Sequence, residues 1–227
     1  MEKLKILSWQ RWLLGLLFAI FSVGQLISPW PDLIVDYQFY CSPVFMTIGG
    51  LLSLILIYGL DSLKKLLAPM KKGSVLRVIW GFVLSNLIII VVIGVLIVGF
   101  HTPLATHNIF TELHQADKLD RWLTILMLVV QIPGEELIMA AFTLPILNYC
   151  YFKNISFFWS WTIANLIGCI IFMFLHLPAY QGNFGIVLAV GLGRYPFTML
   201  WRSTNSLRGG IYAHYIQDFV RLIPFLF

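Results

Sequence analysis

Seven stretches of this 227-residue chain are predominantly apolar over lengths that suit a bilayer crossing: about 10–28, 43–60, 76–100, 121–150, 155–177, 184–201 and 207–227. A transmembrane helix needs roughly 17–25 such residues. The pattern predicts an all-α, polytopic transmembrane helix bundle of about seven spans. Composition agrees: 59% of residues are hydrophobic and 11% charged, against about 45–50% apolar and about 25% charged in soluble domains. The fourth run is too long for one straight crossing, and Pro133 and Gly134 within it predict a tilt, kink or break. The first run follows Lys3 and Lys5, as a signal peptide would. It lacks an Ala-x-Ala-like site and is followed by Pro29 and Pro31, so it reads as a retained helix.

Basic residues set the expected orientation. An inside N-terminus puts Lys3, Lys5, Arg11, Lys64, Lys65, Lys71, Lys72, Arg77, Lys153, Arg202 and Arg208 on the cytoplasmic side. Only Lys118, Arg121 and Arg221 then lie outside, with Arg194 inside a span. The net charge of +5 is thus a topology signal, with the lipid bilayer rather than nucleic acid as partner. Trp9, Trp12, Trp30, Trp80, Trp122, Trp159, Trp161 and Trp201 fall near expected span ends, where amphipathic rings favour the interface. Segment 61–77 suits either a basic amphipathic surface helix or a simple loop. Cys41, Cys150 and Cys169 form no Cys-x-x-Cys pair and read as small core residues. The loop 101–121 gathers His101, His107, His114, Glu112, Asp117 and Asp120 without helical metal-ligand spacing.

What remains is a short set of ionisable residues inside apolar runs: Glu135 and Glu136, His176, Arg194, and His214 with Asp218. Ionisable groups at such depth face the bundle interior and mark functional sites. Glu135 and Glu136 are neighbours, about 100° apart around a helix, so one is expected to serve chemistry and the other to need its own partner. His214 and Asp218 stand four apart and share a face, where the acid can orient the imidazole. Phe172 and His176 share a face in the same way. Two imidazoles with carboxylates can hold a metal with an open position for water. They can equally polarise water directly while other groups stabilise an oxyanion. The competing reading is interhelical hydrogen bonding that holds the bundle together. His-Glu-x-x-His, Gly-x-Ser-x-Gly and Gly-x-Gly-Asp are all absent. A proton-coupled transporter would also bury carboxylates, but no inverted repeat is evident.

The segments "EELIMA" (135–140), "FMFLH" (172–176) and "HYIQD" (214–218) resemble, in order, the Glu-Glu-x-x-x-Arg, Phe-x-x-x-His and His-x-x-x-Asn/Asp motifs of the CPBP intramembrane proteases. That family joins type II CAAX prenyl endopeptidases with bacterial relatives linked to bacteriocin self-immunity and peptide processing. The resemblance covers roughly 120–220. It divides the chain into 1–120, N-terminal spans without a motif, and 121–227, a catalytic core with a cavity among spans four to seven. It implies that Glu135 activates water with His176, while His214 and Asp218 stabilise the oxyanion or His214 helps bind a metal. Zinc on Glu135, His176 and His214, or no metal at all, are both compatible with it. Asp218 stands where eukaryotic relatives have Asn, and an ionised Asp donates no hydrogen bond, which favours an orienting role on His214. Ala140 stands where the first motif has Arg; Arg194 either substitutes as the partner of Glu136 or snorkels or contacts another helix.

The function implied is an endopeptidase of a bacterial plasma membrane acting on a hydrophobic or membrane-associated peptide, in leader processing or bacteriocin self-immunity. The rival is a non-catalytic membrane immunity or binding protein with the same bundle. Straight spans set one conflict: they hold His176 and His214 roughly 15–20 Å apart in depth. An extended span five, a deeper His214 or a re-entrant span six would each remove it.

Overall fold

The computed structural model describes residues 4–27, 31, 35–103 and 107–225, and these are helical with no strand. The helices are α1 (Trp9–Ile27), α2 (Val35–Tyr58), α3 (Leu60–Leu66), α4 (Ser74–Phe100), α5 (Asn108–Gln115), α6 (Lys118–Phe152), α7 (Phe157–His176), α8 (Phe184–Gly193), α9 (Tyr195–Thr204) and α10 (Arg208–Leu222). Five segments among the described residues are long and apolar enough to cross a membrane: Tyr40–Tyr58, Ser74–Phe100, Lys118–Phe152, Phe157–His176 and Phe184–Thr204. The outer face is apolar; Val98 on α4, for instance, is 79% exposed. An aqueous surface rarely carries a contiguous apolar face of this kind, and the chain is a membrane protein.

The 35-residue α6 is the axis of the bundle. It runs through Pro133 and Pro145 without interruption. A proline lacks the N–H that bonds the carbonyl four residues back, and here the Val129 carbonyl instead accepts from the Tyr215 hydroxyl. The neighbouring Val130 carbonyl accepts from Thr47 Oγ1 on α2. The carbonyls of Val129 and Val130, ahead of the proline, therefore fasten α10 and α2 to α6 on the N-terminal side of the acidic pair. Gly134 allows the approach, since a Cβ there would lie 2.8 Å from the Thr47 backbone nitrogen.

The sixth apolar run is two helices meeting at Arg194. Pro196 cannot supply the N–H that would continue the ladder. The Arg194 N–H is shared between the Val190 and Gly191 carbonyls, at 3.2 Å each. Buried Asn165 on α7 donates to the Tyr195 carbonyl at 2.9 Å, pinning the junction. The seventh run forms a helix of 15 residues over Arg208–Leu222, about 22 Å long and shorter than expected.

That helix resolves the depth conflict. The α9–α10 turn is buried rather than superficial: the Leu207 N–H donates to the Leu66 carbonyl at 2.8 Å and Ser206 Oγ to the Ala68 carbonyl at 2.6 Å. Thr204, Ser206 and Leu207 have no exposed surface. α10 therefore starts inside the bundle, on top of α3, and His214 sits deeper than straight spans allow. Segment 61–77 contributes α3, with Leu63 and Leu66 buried and Lys64 and Lys65 outward.

The tryptophans need a correction. Trp9, Trp80, Trp122 and Trp159 are exposed, whereas Trp161 and Trp201 are wholly buried in the core; Trp30 lies outside the described residues. Position along an apolar run does not distinguish an interfacial ring from one that points inward. The three cysteines are free.

Candidate active site

The two acids of α6 diverge as helix geometry requires. Glu136 is fully buried and its oxygens are all engaged. Oε1 accepts from Arg194 Nη1 at 2.6 Å and from His214 Nδ1 at 3.1 Å, and Oε2 accepts from Trp201 Nε1 at 3.0 Å. Arg194 is 2% exposed, so charge meets charge out of water, the condition under which a buried ion survives. Arg194 thus occupies from α8–α9 the role of partner that Ala140 on α6 does not fill. Gly210 makes room for the cage: a Cβ there would lie 2.2 Å from Trp201 Nε1 and 2.6 Å from Glu136 Oε2.

Glu135 faces a cavity instead. Gln131, one turn earlier, donates to its Oε1 at 2.7 Å. Its Oε2 lies 4.0 Å from His176 Nε2 and 3.7 Å from His214 Nε2. Asp218 Oδ2 is 3.4 Å from the same His214 nitrogen. His214 therefore stands between the two glutamates, one ring nitrogen toward each, so both acids do reach a common partner. Phe197 packs on its ring, with centroids 5.5 Å apart.

His176 is held by its own helix. Its Nδ1 bonds the Phe172 carbonyl at 3.0 Å, which places the proton on Nδ1 and leaves Nε2 as an acceptor toward Glu135. The Phe172 ring carries the imidazole at 4.0 Å and the Arg194 guanidinium at 4.6 Å from its centre. Phe172 thus packs against both His176 and Arg194, and all three line the smaller of two cavities.

Two cavities meet at Glu135. The larger, about 510 Å³, is walled by Met46, Met127, Ile138, Met139 and Leu175 among other apolar side chains, with Glu135 and His176 in its lining. The smaller, about 110 Å³, is lined by Arg194, His214, Gln217, Asp218 and Arg221. The expectation of a cavity among spans four to seven needs extending: Val23 of α1, Ser42 and Met46 of α2, and Ile109 and Glu112 of α5 also line the larger space.

The loop 101–121 likewise differs from a loose polar collection. His107 lines both cavities and caps α5, its Nδ1 accepting from the Ile109 N–H at 3.1 Å. Its ring meets Tyr180 edge-on at 5.0 Å. Burial, aided by His176 nearby, holds His107 down to about 4 from an ordinary value of 6.5. Sequence did not assign Gln131, Trp201, His107 or Gly210 to the site: Trp201 was expected at the interface and His107 in a polar loop. Only Gln131 carried a local signal, standing four residues before Glu135.

A tetrahedral zinc ion with ligands at about 2.0 Å sets them roughly 3.3 Å apart. Glu135 Oε2 is 4.0 and 3.7 Å from the two Nε2 atoms, and among the described residues no group of three or more His, Cys, Asp or Glu is arranged to hold a metal ion. The trio as arranged does not fit zinc.

No curated protein and no solved structure matches the chain. A family model does: residues 117–220, the segment that contains Glu135, Glu136, His176, Arg194, His214 and Asp218, match the model of the Rce1-like type II CAAX prenyl endopeptidases, to which this segment is similar.

Proposed function

We propose that the protein is an intramembrane endopeptidase that hydrolyses a peptide bond in a hydrophobic, membrane-associated peptide. The observation that carries this reading is the division of the acidic pair. Glu136 is consumed by Arg194, Trp201 and His214, while Glu135 is kept in the wall of an apolar cavity beside two imidazoles. A bundle needing only interhelical contacts has no use for a second carboxylate turned into a cavity.

Glu135 takes a proton from a water whose other hydrogen is directed at His176 Nε2, and the resulting hydroxide attacks the scissile carbonyl. Glu135 then passes that proton to the amide nitrogen as the C–N bond breaks, giving a carboxyl group and an amine. Asp218 orients His214, and His214 holds the two glutamates apart on its opposite edges. Because the trio does not fit zinc, we assign the water's activation to Glu135 and His176, and activity is expected to persist after exhaustive chelation. We place the basic loops on the cytoplasmic side of a bacterial plasma membrane. Leader processing and bacteriocin self-immunity both call for this chemistry.

The test is Glu135→Gln in reconstituted protein, assayed with a library of internally quenched apolar peptides. Loss of about 10²–10⁴-fold in turnover, the scale of a general base, with an unchanged fold is expected. Unimpaired function of this variant in cells would favour a binding protein.

A further inference from the structure

A third hollow, about 660 Å³, lies between α1, α6 and α7 and shares no lining residue with the two cavities at Glu135. Its floor is a stripe of α6 made of Phe142, Pro145, Ile146, Tyr149 and Phe152, spaced as one face of a helix. Leu4, Ile6, Trp12 and Leu16 form one wall and Ile171 of α7 the other. The segment before α1 is fastened at the C-terminal end of that stripe. The Leu7 N–H donates to the Ile57 carbonyl at 3.0 Å, and the adjacent Tyr58 hydroxyl accepts from Asn148 of α6 at 3.4 Å.

Length and charge say what fits. From Phe142 to Phe152 the stripe runs about 15 Å, half of a hydrocarbon core about 30 Å thick. The groove is thus as long as one leaflet is deep, which is the reach of an acyl chain. No charged residue lines it; the charge sits at one end. Lys153 follows Phe152, and its ammonium group lies over the Tyr149 and Phe152 rings, 5.6 and 5.8 Å from their centres. Lys5 is exposed between Leu4 and Ile6. Among the described residues neither lysine is ion-paired.

We propose that this groove binds one anionic phospholipid, with an acyl chain along the α6 stripe and the phosphate between Lys5 and Lys153. Basic residues at the edge of a groove between transmembrane helices recognise anionic head groups in this way. A zwitterionic lipid offers the same chain, but its head group carries a cation that the two lysines oppose. The assignment is independent of the hydrolase reading.

Trp12 lines the groove and reports on it. The protein is reconstituted in phosphatidylcholine bilayers with a small fraction of phosphatidylglycerol or phosphatidylcholine brominated on its acyl chains. The signal is the quenching that Trp12→Phe removes. Brominated phosphatidylglycerol is expected to show an apparent affinity about 5–30-fold higher, the worth of one to two lysines at a membrane surface. Lys5→Gln with Lys153→Gln, both at exposed positions, is expected to bring the two lipids to parity, and raised salt to narrow their difference. Equal quenching by the two lipids in the parent reduces the groove to unselective lipid contact and overturns the proposal. A preference that survives the double lysine substitution overturns it as well, since the head group is then held elsewhere. If Trp12→Phe does not fold, native mass spectrometry of the phosphatidylglycerol and phosphatidylcholine retained by the parent and by the lysine variant reads the same two outcomes.

Discussion

Glu135 and Glu136 are consecutive residues on one helix, yet they occupy opposite kinds of place. Glu136 is closed in by a cation, an indole N–H and an imidazole, with every oxygen bonded and no exposed surface. Glu135 has one amide donor and is otherwise turned toward open volume, 13% exposed at its side chain. The same functional group is architecture in the first setting and, in the function we propose, a reagent in the second. A carboxylate that accepts three hydrogen bonds in a closed cage is held in place, whereas the partly bonded one in an apolar wall is the one we propose takes a proton. Phe172 touches both settings, packing against His176 and Arg194.

The closed side breaks hardest. Arg194→Ala leaves Glu136 buried and uncompensated, which costs about 3–5 kcal/mol and should appear as a large loss in detergent unfolding midpoint. A cycle with Glu136→Gln should return a coupling of about 0.5–3 kcal/mol. Strict additivity would show that the two side chains do not act as a pair. Gly210→Ala forces a methyl group between Trp201 and Glu136, and overpacking of this kind costs about 1–3 kcal/mol. Unchanged stability there would mean that the cage is looser than described.

The open side should respond in rate rather than in stability. Gln131→Ala removes one hydrogen bond from Glu135 Oε1. About 1 kcal/mol, or roughly fivefold in kcat, is expected, with an unfolding midpoint close to the parent's. The smallest effect is on α5. His107 titrates at about 4 when folded against an ordinary 6.5, so the folded state disfavours its proton. The cap on Ile109 is then fully present above about pH 6.5 and is lost as pH falls toward 4. Hydrogen exchange of α5 amides, corrected for intrinsic rates, should show protection falling across that window. Constant protection down to pH 4 would contradict the cap.

The convergence of Glu135, His176, His214 and Asp218 was legible from residue type and spacing, because ionisable groups in apolar runs are rare enough to stand out. Arg194 could be matched to Glu136 for the same reason: a buried acid needs a cation and few were available. What was not legible depended on where helices start. Nothing local in "NSLRGG" (205–210) says that the turn docks on α3 and carries α10 into the bundle. Trp201 and Trp161 looked interfacial since a tryptophan near a span end gives no sign of the side on which its ring lies. His107 was hidden because a histidine in a polar connection acquires meaning only when the loop folds over a cavity. Pro133 signalled irregularity in α6, but its consequence, a carbonyl freed for Tyr215, lies 82 positions away in a different helix.

The central claim is that neighbouring acids hold different offices, and one paired measurement tests it: unfolding midpoint and peptide turnover of Glu135→Gln and Glu136→Gln, side by side in the same detergent. Glu135→Gln is expected to unfold like the parent but to have lost turnover, while Glu136→Gln is destabilised by the broken cage and keeps whatever turnover its folded fraction supports. Equal destabilisation by both substitutions, or full turnover from Glu135→Gln, would contradict it.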